Sequence, residues 1–379
     1  METRRKILAS LLAIGLAVAI AACGDDDDSS SGSGSTSNSE NSGSAIVQEA
    51  QKATKTNAQL PSTIPTSDLE AFDPPPGKSV YHVACNLAIE GCSKIADAIQ
   101  SGVEGVGYKF EKCDGGTTAD TISQCFTNAV NAKPDAIVVN GIDAKTAGDG
   151  YAAAEKAGIP IIGTFTGNDP GVPGVATEVA GDACTKQGEA IANSVIAQTD
   201  GHANVLFVGT QTFACNIQRL ASFTAQMKKC SGCQVEKLEF AIDAVQDKLP
   251  QQIQAALQSN PDLDFVVGTF DAVAAAAADA IRQAGKTDAI KVAGFDADAP
   301  NLELIRKKDI QVADITTGSV EPGWAAADAA ARAIAGQKLP PVYPTSIMLI
   351  TPESIGEIDE TFVGATDFES QFKKLWNQG

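Results

Sequence analysis

Lys291-Val292-Ala293-Gly294-Phe295-Asp296 is a short apolar run closed by a glycine, an aromatic and a carboxylate, and the turn-rich Ala297-Asp298-Ala299-Pro300 follows directly. The run reads as a buried parallel strand whose carboxyl end delivers Asp296 to a cleft, because ligands of open α/β sheets sit beyond the carboxyl ends of the strands. At such an edge a carboxylate keeps enough water to stay charged. The competing reading is a loop aspartate capping a helix that starts near Asn301.

Outward from this strand, the chain from about residue 78 alternates apolar runs with amphipathic, alanine-rich stretches, the pattern of βαβ units around a parallel sheet. Strands are predicted at Ser79–Ala84, Tyr108–Cys113, Ala136–Asn140 and Pro160–Gly163, with helices at Cys92–Val106 and Ala119–Ala132. The plan then repeats. Pro134-Asp135 before Ile137-Val138-Val139 returns as Pro261-Asp262 before Phe265-Val266-Val267, and Ala157-Gly158 returns as Ala284-Gly285. Both pairs are offset by 127 positions (261 − 134 and 284 − 157). The fold class is therefore α/β, with two similar Rossmann-like lobes whose sheets face each other across a cleft.

The first 22 residues read as a secretory signal: a basic Arg4-Arg5-Lys6, an apolar run from Ile7 to Ile20 too short to span a bilayer comfortably, and the small pair Ala21-Ala22. Ile20-Ala21-Ala22-Cys23 resembles the lipobox of bacterial lipoproteins, which implies lipidation of Cys23 and an extracytoplasmic location on the cell membrane. Residues 23–77 are rich in Asp, Ser, Gly and Pro and are expected to form a disordered tether.

The chemistry of the cleft is bounded by what the sequence lacks. It has two histidines, His82 inside a strand and His202 in a turn, and no nucleophile elbow, phosphate loop or metal-ligand spacing. No catalysis, cofactor or metal is expected. A formal net charge of −19 argues against nucleic acid. Eight cysteines remain beyond Cys23, an even number that suggests disulfides in an exported chain. Close spacing favours Cys113 with Cys125 and Cys230 with Cys233, with Cys85–Cys92 and Cys184–Cys215 as the remaining pairs.

From about Lys78 to Thr351 the chain resembles the type I periplasmic binding proteins, specifically the ribose- and galactose-binding branch. The resemblance is carried by Ala157-Gly158-Ile159-Pro160-Ile161-Ile162, by Arg219-Leu220-Ala221-Ser222-Phe223, by Asp271, and by Val292-Ala293-Gly294-Phe295-Asp296, in that order. It implies a hinge of three crossings, near Gly181-Asp182, Thr317-Gly318 and Ser346. It divides the chain into an N-terminal lobe (78–181 and 318–345), a C-terminal lobe (182–317 and 346–351) and an extension (352–379).

The resemblance also implies ligand-binding roles for Asp143, Arg219, Phe270, Asp271, Asp296 and Thr317. Arginine's fork and a carboxylate's lone pairs each grip neighbouring hydroxyls. The stacking platform that sugar binders place after the first strand is missing in Asn86-Leu87-Ala88-Ile89-Glu90-Gly91-Cys92, and Phe165, Phe213, Phe270 and Trp324 are the aromatics left to replace it. The expected function is a monomeric solute receptor that takes a small sugar-like ligand to an ABC transporter permease. A receptor for a signalling membrane protein and an exported α/β enzyme are the alternatives.

Overall fold

The computed structural model describes residues 37–379 apart from 117, 170, 212 and 245–247. Its first element, α1 (Ser37–Asn57), belongs to the stretch expected to be a tether. Ile46 and Ala50 lie one helical turn apart and are both buried, so a single apolar face is enough to dock the helix on a neighbour. Ile64 is buried farther along. The tether reading is corrected from Ser37 onward, whereas the signal segment and Cys23 lie outside the described residues.

The N-terminal lobe opens with β1 (Ser79–Ala84), α2 (Glu90–Val106), β2 (Lys109–Asp114), α3 (Ala119–Ala132), β3 (Ala136–Asn140), α4 (Gly148–Lys156), β4 (Ile161–Thr164) and β5 (Val175–Val179). Every residue of β3 is buried. A strand covered on both faces reads as a continuous apolar run, and each Val or Ile removed from water contributes about 1.5–3 kcal/mol. At α3, Thr118 and Thr121 form a reciprocal capping box that fixes the start of the helix.

The C-terminal lobe follows: α5 (Ala183–Gln198), β6 (Ala203–Gly209), α6 (Ala214–Met227), β7 (Cys233–Glu239), α7 (Leu249–Ser259), β8 (Phe265–Gly268), α8 (Asp271–Gln283), β9 (Lys291–Ala293), α9 (Ala299–Arg306) and β10 (Gln311–Thr316). The chain then returns to the first lobe for α10 (Glu321–Ile334) and β11 (Val342–Tyr343), enters the second for β12 (Met348–Ile350), and ends in α11 (Phe368–Leu375).

Among the described residues each lobe holds a six-stranded sheet, in the orders β11-β5-β4-β3-β1-β2 and β12-β10-β9-β8-β6-β7. Pairing is parallel except for β12 against β10. Helices cover both faces of both sheets, giving four apolar layers. Strand order reverses between β1 and β3 and between β6 and β8, which are the switch points where such sheets open a crevice.

Lobe crossings leave from the carboxyl ends of β5, β10 and β11, so those ends face each other. Among the described residues there are two more crossings than the expected three. Leu60 packs in the second lobe and Ile64 in the first, and Phe362 and Ala365 divide in the same way. The terminal segments therefore belong to the folded body. They escape a reading of the repeat because they lie outside it.

The candidate ligand cleft

The crevice of the second lobe opens beyond β6, β8 and β9, and each strand end supplies one part of a polar cluster. Arg219, on α6 after β6, is buried with 5% of its surface exposed. Its Nε donates to Gln187 Oε1 at 2.9 Å, its Nη1 to the Thr269 carbonyl at 2.9 Å, and its Nη2 to Asp296 Oδ1 at 2.5 Å. The guanidinium lies 4.7 Å from the centre of the Phe295 ring. All three nitrogens of the arginine bond within the lobe before a ligand arrives, so its position is set by the lobe itself.

Asp296 differs from its partner: 44% of its side chain is exposed. Strand β9 ends at Ala293, two residues before the apolar run does, and the chain turns through Asp296 (φ +99°) and Ala297 (φ +60°). Positive φ at non-glycine residues costs on the order of 1–3 kcal/mol and persists only where surroundings enforce it. Here the enforcement comes from beneath. Asp314 Oδ1 accepts the Ala297 and Ile315 amides, and Asp271 Oδ2 accepts the Asp298 amide at 2.5 Å.

Asp271 is thus placed inside the lobe, 1% exposed, instead of at the cleft surface. A Cβ on Gly294 would lie 2.5 Å from Asp271 Oδ1 and 3.1 Å from Asp314 Oδ2, so the two carboxyls converge under that glycine. Burial raises the pKa of both, with their mutual proximity adding for Asp271; Asp314 is pushed up to about 7. Gln311 completes the network, donating to Asp314 and accepting from Asn301.

The first lobe repeats the device. Glu178, buried in β5, lies where a Cβ on Gly163 would stand, and accepts from Thr166 Oγ1 at 2.6 Å and Asn168 Nδ2 at 2.9 Å. Burial raises its pKa. Asn168 in turn accepts the Ala144 amide at 2.8 Å, next to Asp143. Asp143 caps its own turn, accepting from the Thr146 amide at 2.6 Å, and stays partly exposed at the β3 edge. The two edges come within contact: a Cβ on Gly167 would sit 2.5 Å from that of Ala214.

The other expected positions scatter. Phe270 is partly exposed and packs edge-on against Phe240. Thr317 is buried in a lobe crossing. Of the aromatics considered for stacking, Trp324 is buried and stacked on Trp376, whereas Phe213 is 49% exposed at the start of α6. A cavity of about 940 Å³ lined by Leu60, Phe362, Phe368 and Lys373 lies behind the hinge, away from the facing strand ends. Its lining also carries Glu357, Asp359, Glu360, Asp367 and Glu369, and it shares no residue with the Arg219–Asp296 cluster.

Gln187, Glu178, Asn168 and Asp314 were not anticipated. Glu178 and Asp314 had a legible signal, an acid inside an otherwise apolar strand. Gln187 had none, since its burial follows from how α5 and α6 pack.

His82 lies in the sheet with Nδ1 on the Val138 carbonyl, and burial lowers its pKa to about 4. His202 is exposed at a turn. Among the described residues, no group of three His, Cys, Asp or Glu side chains could hold a metal ion. All eight described cysteines are bonded, Cys85–Cys92, Cys113–Cys125, Cys184–Cys215 and Cys230–Cys233.

The family model for the periplasmic binding protein domain matches residues 83–338. This chain belongs to that family. The periplasmic binding protein described here has the same fold as the 5-methylthioribose transporter solute binding protein from Thermotoga lettingae in complex with 5-methylthioribose. The two share 20% identity over 82% of this chain and 100% of that one, with a TM-score of 0.67.

An ABC transporter solute binding protein from Bacillus halodurans with bound myo-inositol is also similar: 22% identity, 75% and 98% coverage, TM-score 0.63. So is one from Agrobacterium vitis with bound allitol: 20% identity, 74% and 97% coverage, TM-score 0.64. No curated protein sequence matches the chain. Among the described residues no helix is long and apolar enough to cross a membrane.

Proposed function

We propose that this periplasmic binding protein is an extracytoplasmic lipoprotein that closes on a small polyhydroxylated molecule and passes it to an ABC transporter permease. The observation that carries the reading is the Arg219–Asp296 pair: a locked guanidinium holds a half-exposed carboxylate at the switch point of the second lobe. A carboxylate so held accepts two hydroxyl donors without reorganising, which is the saving preorganisation makes in binding. In this reading Asp143, at the edge of the first lobe, and the exposed ring of Phe213 contribute further contacts, while Asp271 and Asp314 act from beneath by shaping the turn.

The 5-methylthioribose, myo-inositol and allitol bound by proteins of the same fold support a sugar or polyol class. A thermal-shift screen against sugars, polyols, nucleosides and amino acids tests this, because a ligand bound only by the folded state raises the melting temperature. A hit confined to amino acids would overturn the ligand class. Membrane attachment is tested separately, since Cys23→Ser is expected to release the protein into the soluble fraction.

A further inference from the structure

Both terminal segments lie outside the residues matched by the family model, and they run together over the hinge. Thr366 donates its amide to the Pro61 carbonyl at 2.8 Å, Ile64 donates its amide to Gln371 Oε1 at 3.1 Å, and Phe72 donates its amide to the Leu375 carbonyl at 2.8 Å. On the second lobe they begin in one apolar layer, Ile355, Ile358 and Phe362 beside Leu60. On the first lobe both end on α10. Trp376 Nε1 donates to buried Asp328 at 2.6 Å, and Arg332, paired with the same aspartate, donates to the Glu70 carbonyl and lies over the Phe72 ring.

Between those ends the C-terminal segment is bonded to the crossing it passes. Ser319 donates to the Phe362 carbonyl, and Val320 and Glu321 both donate to that of Val363. The approach is backbone to backbone: a Cβ on Gly318 would lie 3.0 Å from Gly364 N, and one on Gly364 would lie 2.4 Å from Glu321 Cβ. Glu321, 1% exposed, then accepts the Ser346 amide with one oxygen and the Ala365 amide with the other, at 2.8 and 2.7 Å. One carboxylate ties the second, third and C-terminal crossings together.

We infer that the two terminal segments form a strap that limits how far the lobes open, with Glu321 as its node. A hinge moves by φ/ψ changes in a few crossing residues. Here those residues cannot rotate without breaking hydrogen bonds to a segment anchored in both lobes. Gly318, which reads from sequence as a free hinge glycine, instead makes room for the strap. The inference needs two mobile lobes but no particular ligand, so it stands or falls separately from the sugar reading.

The test uses the ligand-free chain with Cys23→Ser and spin labels at Asp149→Cys and Gln252→Cys, exposed positions at the cleft ends of α4 and α7. Hydrogen exchange follows the amides of Val320, Glu321 and Ala365 in parallel. In the parent we expect protected amides and one narrow interlobe distance. Gly364→Ala is expected to speed exchange at these amides by about tenfold or more, as local opening does, and to broaden the distances toward longer values. Freed amides with an unchanged distribution would overturn the strap. So would unprotected amides in the parent, or protection surviving Gly364→Ala. Gln371→Ala, at a half-buried position outside the apolar cores, should give the same change in weaker form.

Discussion

Arg219 Nη2 meets Asp296 Oδ1 at 2.5 Å within one lobe, yet the arginine is 6% and the aspartate 44% exposed by side chain. The two residues therefore carry unequal structural weight. Removing the arginine leaves Gln187 Oε1 and the Thr269 carbonyl without their donors, and two buried acceptors left unsatisfied cost together about 2–6 kcal/mol. Arg219→Ala is expected toward the lower end of that range. Asp296→Ala should cost roughly 1 kcal/mol, discounted because the carboxylate is wet. Thermal melts without ligand check this, and equal losses in the two variants would contradict it.

The backbone at Asp296 gives a second expectation. At φ +99° a glycine is unstrained and an alanine is not. Asp296→Gly and Asp296→Ala lose the same ion pair, so the glycine variant should be the more stable by about 1 kcal/mol. Denaturant midpoints measure the difference, and a less stable glycine variant would show that the turn is not strained there.

A third concerns pH. The folded state raises the pKa of both Asp271 and Asp314, so in the window above 3.8 the native protein holds a proton that the unfolded chain has released. That stabilisation is complete below the unfolded value and is lost as pH rises through about 7, where Asp314 titrates. The slope approaches roughly 1.4 kcal/mol per pH unit for one retained proton. Asp314→Asn should flatten the decline of melting temperature between pH 3.8 and about 7, the window set by its unfolded and folded values. An unchanged slope would mean that the pair does not share a proton.

The disulfides differ in the loops they close. Cys184–Cys215 joins α5 to α6 across 31 residues, and Cys230–Cys233 spans three. Chain entropy assigns the long loop about 3.5 kcal/mol and the short one about 1.5. Serine replacement of each pair, followed by denaturant unfolding, should preserve that order. Thiol titration of the denatured, unreduced protein should find none of the eight reactive.

The C-terminal helix should be required for the first lobe to fold stably. Trp376 stacks on Trp324 at 5.6 Å and donates to buried Asp328. Trp376→Ala is expected to cost about 3–5 kcal/mol. A loss below 1 kcal/mol would mean that the helix is peripheral.

Much of the fold is local in origin and was readable as such. Ala119–Ala132 carries its own cap and period, and Ala136–Asn140 its own apolar run; both have the same bounds in sequence and structure. The duplicated spacing set two lobes, and strand ends set where Arg219 and Asp296 emerge. What could not be read was which way a side chain turns once its backbone is placed. Asp271 and Asp296 both follow apolar strands, but Asp271 opens a helix and points inward, whereas the left-handed backbone at Asp296 aims it outward. The helical period of Phe368–Trp376 was readable and is α11 in the structure, but where the terminal segments dock was hidden for a related reason. Their apolar residues, among them Ile46, Ile64, Phe72, Phe372 and Trp376, have no core of their own to form, and they gain their burial from α5 and α10, faces assembled from other parts of the chain. Local pattern decides elements; only assembled surfaces decide what those elements cover.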